Sequence, residues 1–108
     1  MATRSTIALS VPEGFRAIYC HWDGYPEGVG ATLKNSYSTL EQAKSLVEKG
    51  DLSTLGDTIE SSEFYTNRGE ELKVETFNSE SDWLEWASAC SCEYAYLFKD
   101  NKWIVEAI

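Results

Sequence analysis

Three features of this sequence predict an α+β domain. Short alternating apolar runs at both ends read as hairpin strands. Helical stripes fill the second quarter of the chain, and another follows residue 79. Most connections are too short for the crossovers that parallel strands require. The expected order is ββ-αα-ββ-α-ββ: a mainly antiparallel sheet of five to six strands, with three helices packed mostly on one face. The chain has 108 residues, which fits one domain over residues 1–108. Hydrophobic residues make up 43%, enough apolar area for a core without metal or disulfide staples.

The elements follow in order. Thr6–Val11 alternates, with Ile7, Leu9 and Val11 on one face. Pro12-Glu13-Gly14 is a turn signal, and Phe15–Trp22 reads as the second strand of a hairpin. Apolar residues fall on both faces of that strand, so it is expected to be central. Val29, Leu33 and Tyr37 form a helical stripe. Ser38-Thr39-Leu40-Glu41 reads as a capping box with Ser38 at the N-cap. The helix it starts presents Leu40, Ala43, Leu46 and Val47 inward, and Gly50 stops it in a left-handed conformation. Asp51–Gly56 reads as a connector pinned by Leu52 and Leu55. Glu63–Thr66 and Glu70–Phe77 are expected to pair as a hairpin through Asn67-Arg68-Gly69. Ser79 or Ser81 caps a third helix with Trp83, Trp86, Ala87 and Cys90 inward. Tyr94–Phe98 and Trp103–Ala107 close the chain as a hairpin, and Asp100-Asn101 supplies its turn.

Charge is distributed unevenly. The net charge is −9; residues 1–50 hold five acids and five bases, whereas residues 51–108 hold thirteen acids and four bases. Such a field repels phosphate backbones, so direct nucleic-acid binding is not expected. It favours a partner with a basic surface; ordinary solubility is the plain alternative. No apolar run of about 18 residues suggests a membrane span. The first residues lack the apolar core of a signal peptide, so a cytoplasmic location is expected. Three cysteines is an odd number, and free, buried thiols are the expected state.

The run Ile18-Tyr19-Cys20-His21-Trp22-Asp23-Gly24-Tyr25-Pro26 holds the only histidine and leads from a strand into a helix. His21, Trp22, Asp23 and Tyr25 are therefore candidate binding residues for a small ligand or a minor hydrolase. A Cys20–His21 nucleophile–base pair is disfavoured, because adjacent strand residues point to opposite faces. Cys20, His21, Cys90 and Cys92 offer soft metal ligands, but Cys90-x-Cys92 is tighter than zinc-knuckle spacing, and no metal or other cofactor is expected. Gly24, Gly28 and Gly30 match no phosphate-binding fingerprint; close packing explains them better. Among the acids, Glu63, Glu70, Glu71 and Glu75 are the candidate docking residues.

Thr3-Arg4-Ser5-Thr6-Ile7-Ala8, the Ile18–Tyr25 run and Gly50-Asp51-Leu52-Ser53-Thr54-Leu55-Gly56 resemble a family of small proteins of tailed bacteriophages and of bacteria, where they belong to prophages. The resemblance covers residues 3–56 and is loose beyond them. It implies an accessory protein of the bacterial cytoplasm and assigns no catalytic residue. The expectation is a non-catalytic protein that binds, and inhibits, a host protein through its acidic second half. A ligand site at the His21/Asp23 corner and a self-associating structural component are the alternatives.

Overall fold

The computed structural model describes residues 2–108; Met1 lies outside them. Its strands are β1 (Ser5–Val11), β2 (Gly14–Cys20), β3 (Leu52–Thr54), β4 (Glu63–Phe64), β5 (Glu75–Phe77), β6 (Tyr94–Lys99) and β7 (Lys102–Ala107). The α-helices are α1 (Ala31–Ser36), α2 (Leu40–Val47) and α3 (Glu80–Ala89). A π-helical turn, Pro26–Gly30, leads into α1. The α+β class holds. The sheet is mixed and larger than expected, with seven strands among the described residues.

Six strands run β4-β3-β2-β1-β6-β7, and β5 also pairs with β2. β1 and β2 form the expected hairpin, from Ser5↔Cys20 to Val11↔Gly14. β1 then pairs with β6 in parallel, Ser5↔Tyr94 to Leu9↔Phe98. This puts β1 and β2 in the middle of the sheet, which is why Ile7, Ala8, Ala17 and Ile18 are all fully buried. The stretch at Asp51–Gly56 is more than a connector. β3 lies along β2 in parallel at Cys20↔Leu52, and β4 returns antiparallel on β3.

The expected hairpin between Glu63–Thr66 and Glu70–Phe77 does not form. β5 instead runs antiparallel to β2, with Phe15↔Phe77 and Ala17↔Glu75 opposed. The gain is aromatic. Phe15 stacks on Trp83 with centroids 5.9 Å apart, and Phe77 meets Trp86 at 5.5 Å. Residues 70–73 stay outside the sheet, and Leu72 is exposed.

The sheet has a core on each face. Ile7, Leu9, Ile18, Tyr96 and Phe98 meet Val29, Leu33, Ala43 and Leu46 on the α1–α2 side. On the other side Ala8, Ala17, Ala95 and Leu97 receive Trp83 of α3. Two helices thus cover one face and the third covers the opposite one. Small residues decide this: three alanines on neighbouring strands leave a hollow that an indole fills. Trp83 Nε1–H donates to Thr6 Oγ1 at 3.0 Å, and that hydroxyl donates onward to the Ile18 carbonyl at 2.9 Å.

The helix ends follow capping chemistry with one shift. The capping box sits on Thr39 and Gln42, one residue beyond Ser38 and Glu41. Thr39 Oγ1 accepts from the Gln42 N–H at 3.2 Å, and Gln42 Oε1 accepts from the Thr39 N–H at 3.1 Å. Leu40 becomes the first helical residue and points outward rather than into the core. Gly50 takes φ +88°, the left-handed stop, and Ser79 caps α3. Thr39→Ala is expected to cost about 1 kcal/mol. That is a fall of roughly 5 °C in Tm by thermal melting, with Ser38→Ala leaving Tm in place. Between β6 and β7, Asp100 (φ 54°) and Asn101 (φ 64°) build the expected two-residue turn. Among the described residues no helix is long and apolar enough to cross a membrane.

Candidate functional site

The corner after β2 is clamped by main-chain bonds on three sides. The His21 and Trp22 N–H groups donate to the Leu52 and Ser53 carbonyls at 3.1 and 3.0 Å. The Gly24 N–H donates to the Thr3 carbonyl at 2.8 Å, and the Gly24 carbonyl accepts the buried Tyr96 hydroxyl at 2.6 Å. A Cβ on Gly24 would stand 2.7 Å from both the Thr3 carbonyl oxygen and Ser5 Cβ, so only glycine fits there. The Val29 N–H then donates to the Asp23 carbonyl at 2.8 Å, and the Gly30 N–H donates to the Tyr25 carbonyl at 3.5 Å across the π-helical turn.

The corner's side chains form two small sets. The Tyr19 hydroxyl and His21 Nδ1 share a hydrogen bond of 2.8 Å, and the His21 ring meets Trp22 edge-on at 4.8 Å. The Tyr25 hydroxyl donates to Asp23 Oδ1 at 3.1 Å, and that bond, with the carboxylate's charge, raises the Tyr25 pKa. Trp22, Asp23 and Tyr25 are exposed; His21 is partly so. Five of the surface clefts, of about 300–420 Å³ each, are lined by none of these four residues.

The thiols are arranged against nucleophilic chemistry. Cys20 points into the α1–α2 core, while Tyr19 and His21 turn to the other face. Burial pushes the Cys20 and Cys92 thiols up to about 12 and raises Cys90 as well. Protonated thiols are poor nucleophiles and poor metal ligands. Among the described residues no three His, Cys, Asp or Glu side chains gather to hold a metal ion.

The acidic candidates lie along one stretch of chain. Phe64 enters the core, and its neighbour Glu63 is exposed, opposite Thr54 across an irregular β3–β4 register. Glu75 stands opposite Ala17, whose side chain belongs to the core on the face that carries α3. Glu70 and Glu71 lie exposed on the segment between them. Main-chain bonds from Tyr65 to Asp51, Asp51 to Lys73 and Glu70 to Tyr65 hold this segment against the sheet. α3 adds Glu80, Asp82 and Glu85 to the same face and has no base. By contrast, residues 26–50, which build the α1–α2 side, hold three acids and three bases, with Asp57 and Glu60 in the following loop. One ion pair, Arg68 to Glu63 at 3.7 Å, is present among the described residues, and both its side chains are about half exposed, 49% and 50%.

A groove of about 360 Å³ near these acids is lined by two bases, Arg4 and Lys73, two acids, Asp51 and Glu75, and by Tyr19, Trp86 and Cys90. Asp51 accepts the Tyr19 N–H at 2.9 Å; burial raises its carboxyl pKa, and that hydrogen bond opposes the rise. Arg4, Asp51 and Trp86 come from distant parts of the chain. No spacing or motif ties them together; the pairing of β2 with β1 and β3 and the packing of α3 on β5 do so.

No family model matches the chain, and neither does any curated protein or solved structure.

Proposed function

We propose that this is a non-catalytic binding protein that docks its acidic face against a basic surface of a partner protein and blocks it. The observation that supports this reading most is the excess of carboxylates over residues 63–85, seven acids against two bases, Arg68 and Lys73. Glu75 lies on the face that carries α3 with Glu80, Asp82 and Glu85, Glu63, Glu70 and Glu71 are exposed on the adjoining stretch, and one exposed ion pair, Arg68 to Glu63, is present among the described residues. Self-repulsion in such a field costs stability, and a partner's lysines and arginines relieve it. The resemblance to phage-type accessory proteins makes a bacterial host protein the proposed partner, met in the bacterial cytoplasm.

The test is capture from a bacterial lysate by the wild-type chain and by the triple variant Glu70→Lys, Glu71→Lys, Glu75→Lys. The expected result is loss of the captured partner with the triple variant, whose fold is checked by circular dichroism. Equal capture by both proteins rejects the acidic face as the contact.

A further inference from the structure

β7 forms one edge of the sheet and, among the described residues, pairs only with β6. It is long and apolar for an open edge: Lys102-Trp103-Ile104-Val105-Glu106-Ala107, with Ile104 and Val105 43% and 41% exposed. The direction of its free main-chain groups can be read. Lys99↔Lys102 closes a two-residue turn, so that pair exchanges hydrogen bonds. The Ile108 N–H, in the same parity, donates to the Glu93 carbonyl at 2.9 Å. Even-numbered residues therefore bond inward, and Trp103, Val105 and Ala107 aim their N–H and C=O groups outward.

Among the described residues the charges on this edge form no ion pair. Lys102 sits opposite another cation, Lys99, and Glu106 sits opposite Ala95. We propose that β7 pairs antiparallel with β7 of a second copy of this chain, about a two-fold axis through Ile104. In that register Lys102 faces Glu106 of the second copy, and Glu106 faces its Lys102. Ile104 meets Ile104, and Trp103 meets Val105. The register also sets outward-bonding residues opposite each other, as an antiparallel ladder requires. An axis through Val105 would instead set Ile104 against Glu106, and a parallel pairing would set Lys102 against Lys102. The stretch is thus self-complementary in one register, and the result is an isologous dimer with one continuous sheet.

Size-exclusion chromatography with light scattering over a range of concentrations tests this. The expected mass is twice the 12.2 kDa of the chain, falling towards one chain on dilution. Lys102→Glu and Glu106→Lys each place two like-charge pairs across the axis and should raise the dimer dissociation constant about tenfold. The double variant restores both pairs and should return the constant to the wild-type value. Val105→Pro removes an outward N–H that β6 does not use, and should give a folded monomer. A chain that stays monomeric at its highest soluble concentration overturns the proposal, even if a strand of another protein is later found on this edge. A dimer indifferent to all three changes overturns it too.

Discussion

Trp83→Ala is expected to destabilise the protein by about 4 kcal/mol, within the range for emptying a buried aromatic site. The indole is 1% exposed and is the largest fully buried side chain. It occupies the hollow left by Ala8, Ala17 and Ala95, and it stacks on Phe15. Alanines cannot swing in to refill that space, so the cavity persists. The same substitution strips Thr6 Oγ1 of its donor at 3.0 Å, although Thr6 keeps its own bond to Ile18. Trp83→Phe keeps most of the packing and loses the N–H, so its cost is expected near 1–2 kcal/mol. Urea unfolding of both variants checks this. Equal midpoints for Trp83→Ala and the wild type would mean that α3 does not anchor this face.

Alkaline pH is expected to unfold the protein through its buried thiols. In the unfolded chain a cysteine ionises from its ordinary value of 9.0, whereas folded Cys20 keeps its proton up to about 12 because burial penalises the thiolate. Below pH 9 both states are protonated and the full stability is present. From pH 9 to about 12 the unfolded chain sheds the proton and the folded chain does not, so stability falls as pH rises. For one such group the loss is about 1.4 kcal/mol per pH unit, or roughly 3 kcal/mol at pH 11. Cys92 and Tyr19, both raised to about 12 chiefly by burial, act in the same direction. Cys92 acts over the same range as Cys20, and Tyr19, raised from 10.0, acts only above pH 10. Urea midpoints at pH 8, 9, 10 and 11 measure the slope, and Cys20→Ala is expected to reduce it by about 1.4 kcal/mol per unit. An unchanged slope in that variant would place the titration elsewhere.

Local chemistry was readable along the chain, and long-range pairing was not. The β1–β2 hairpin, the Asp100-Asn101 turn, the Gly50 stop and the Ser79 cap each depend on residues within a few positions of one another. The capping box slipped by one residue because Ser38 and Thr39 are both good caps and Glu41 and Gln42 both good partners. The parallel pairing of β1 with β6 joins residues about ninety apart, and no turn signal announces it. β5 alternates as a strand should, but its alternation does not say which strand it joins. The phenyl rings of Phe15 and Phe77 meeting the α3 tryptophans settle that. The placement of α3 on the second face hinges on Ala8, Ala17 and Ala95, whose small size looks unremarkable until three strands align them. The same holds for the site. Charge asymmetry between the halves was visible in composition, whereas the groove of Arg4, Asp51 and Glu75 exists only once β2 collects its neighbours. The His21 corner drew notice for its rare residues. In the structure those residues hold one another at the surface while Gly24 and Tyr96 lock the backbone beneath them.

The acidic face is the centre of this account, and the affinity of the captured partner across a salt series tests it most directly. Screening shortens the reach of exposed charges, so contact through this face requires binding to weaken steadily as salt is added. The Glu70→Lys, Glu71→Lys, Glu75→Lys chain should bind more weakly at every salt concentration and show a flatter dependence. Binding that ignores both salt and the three reversals would contradict the account.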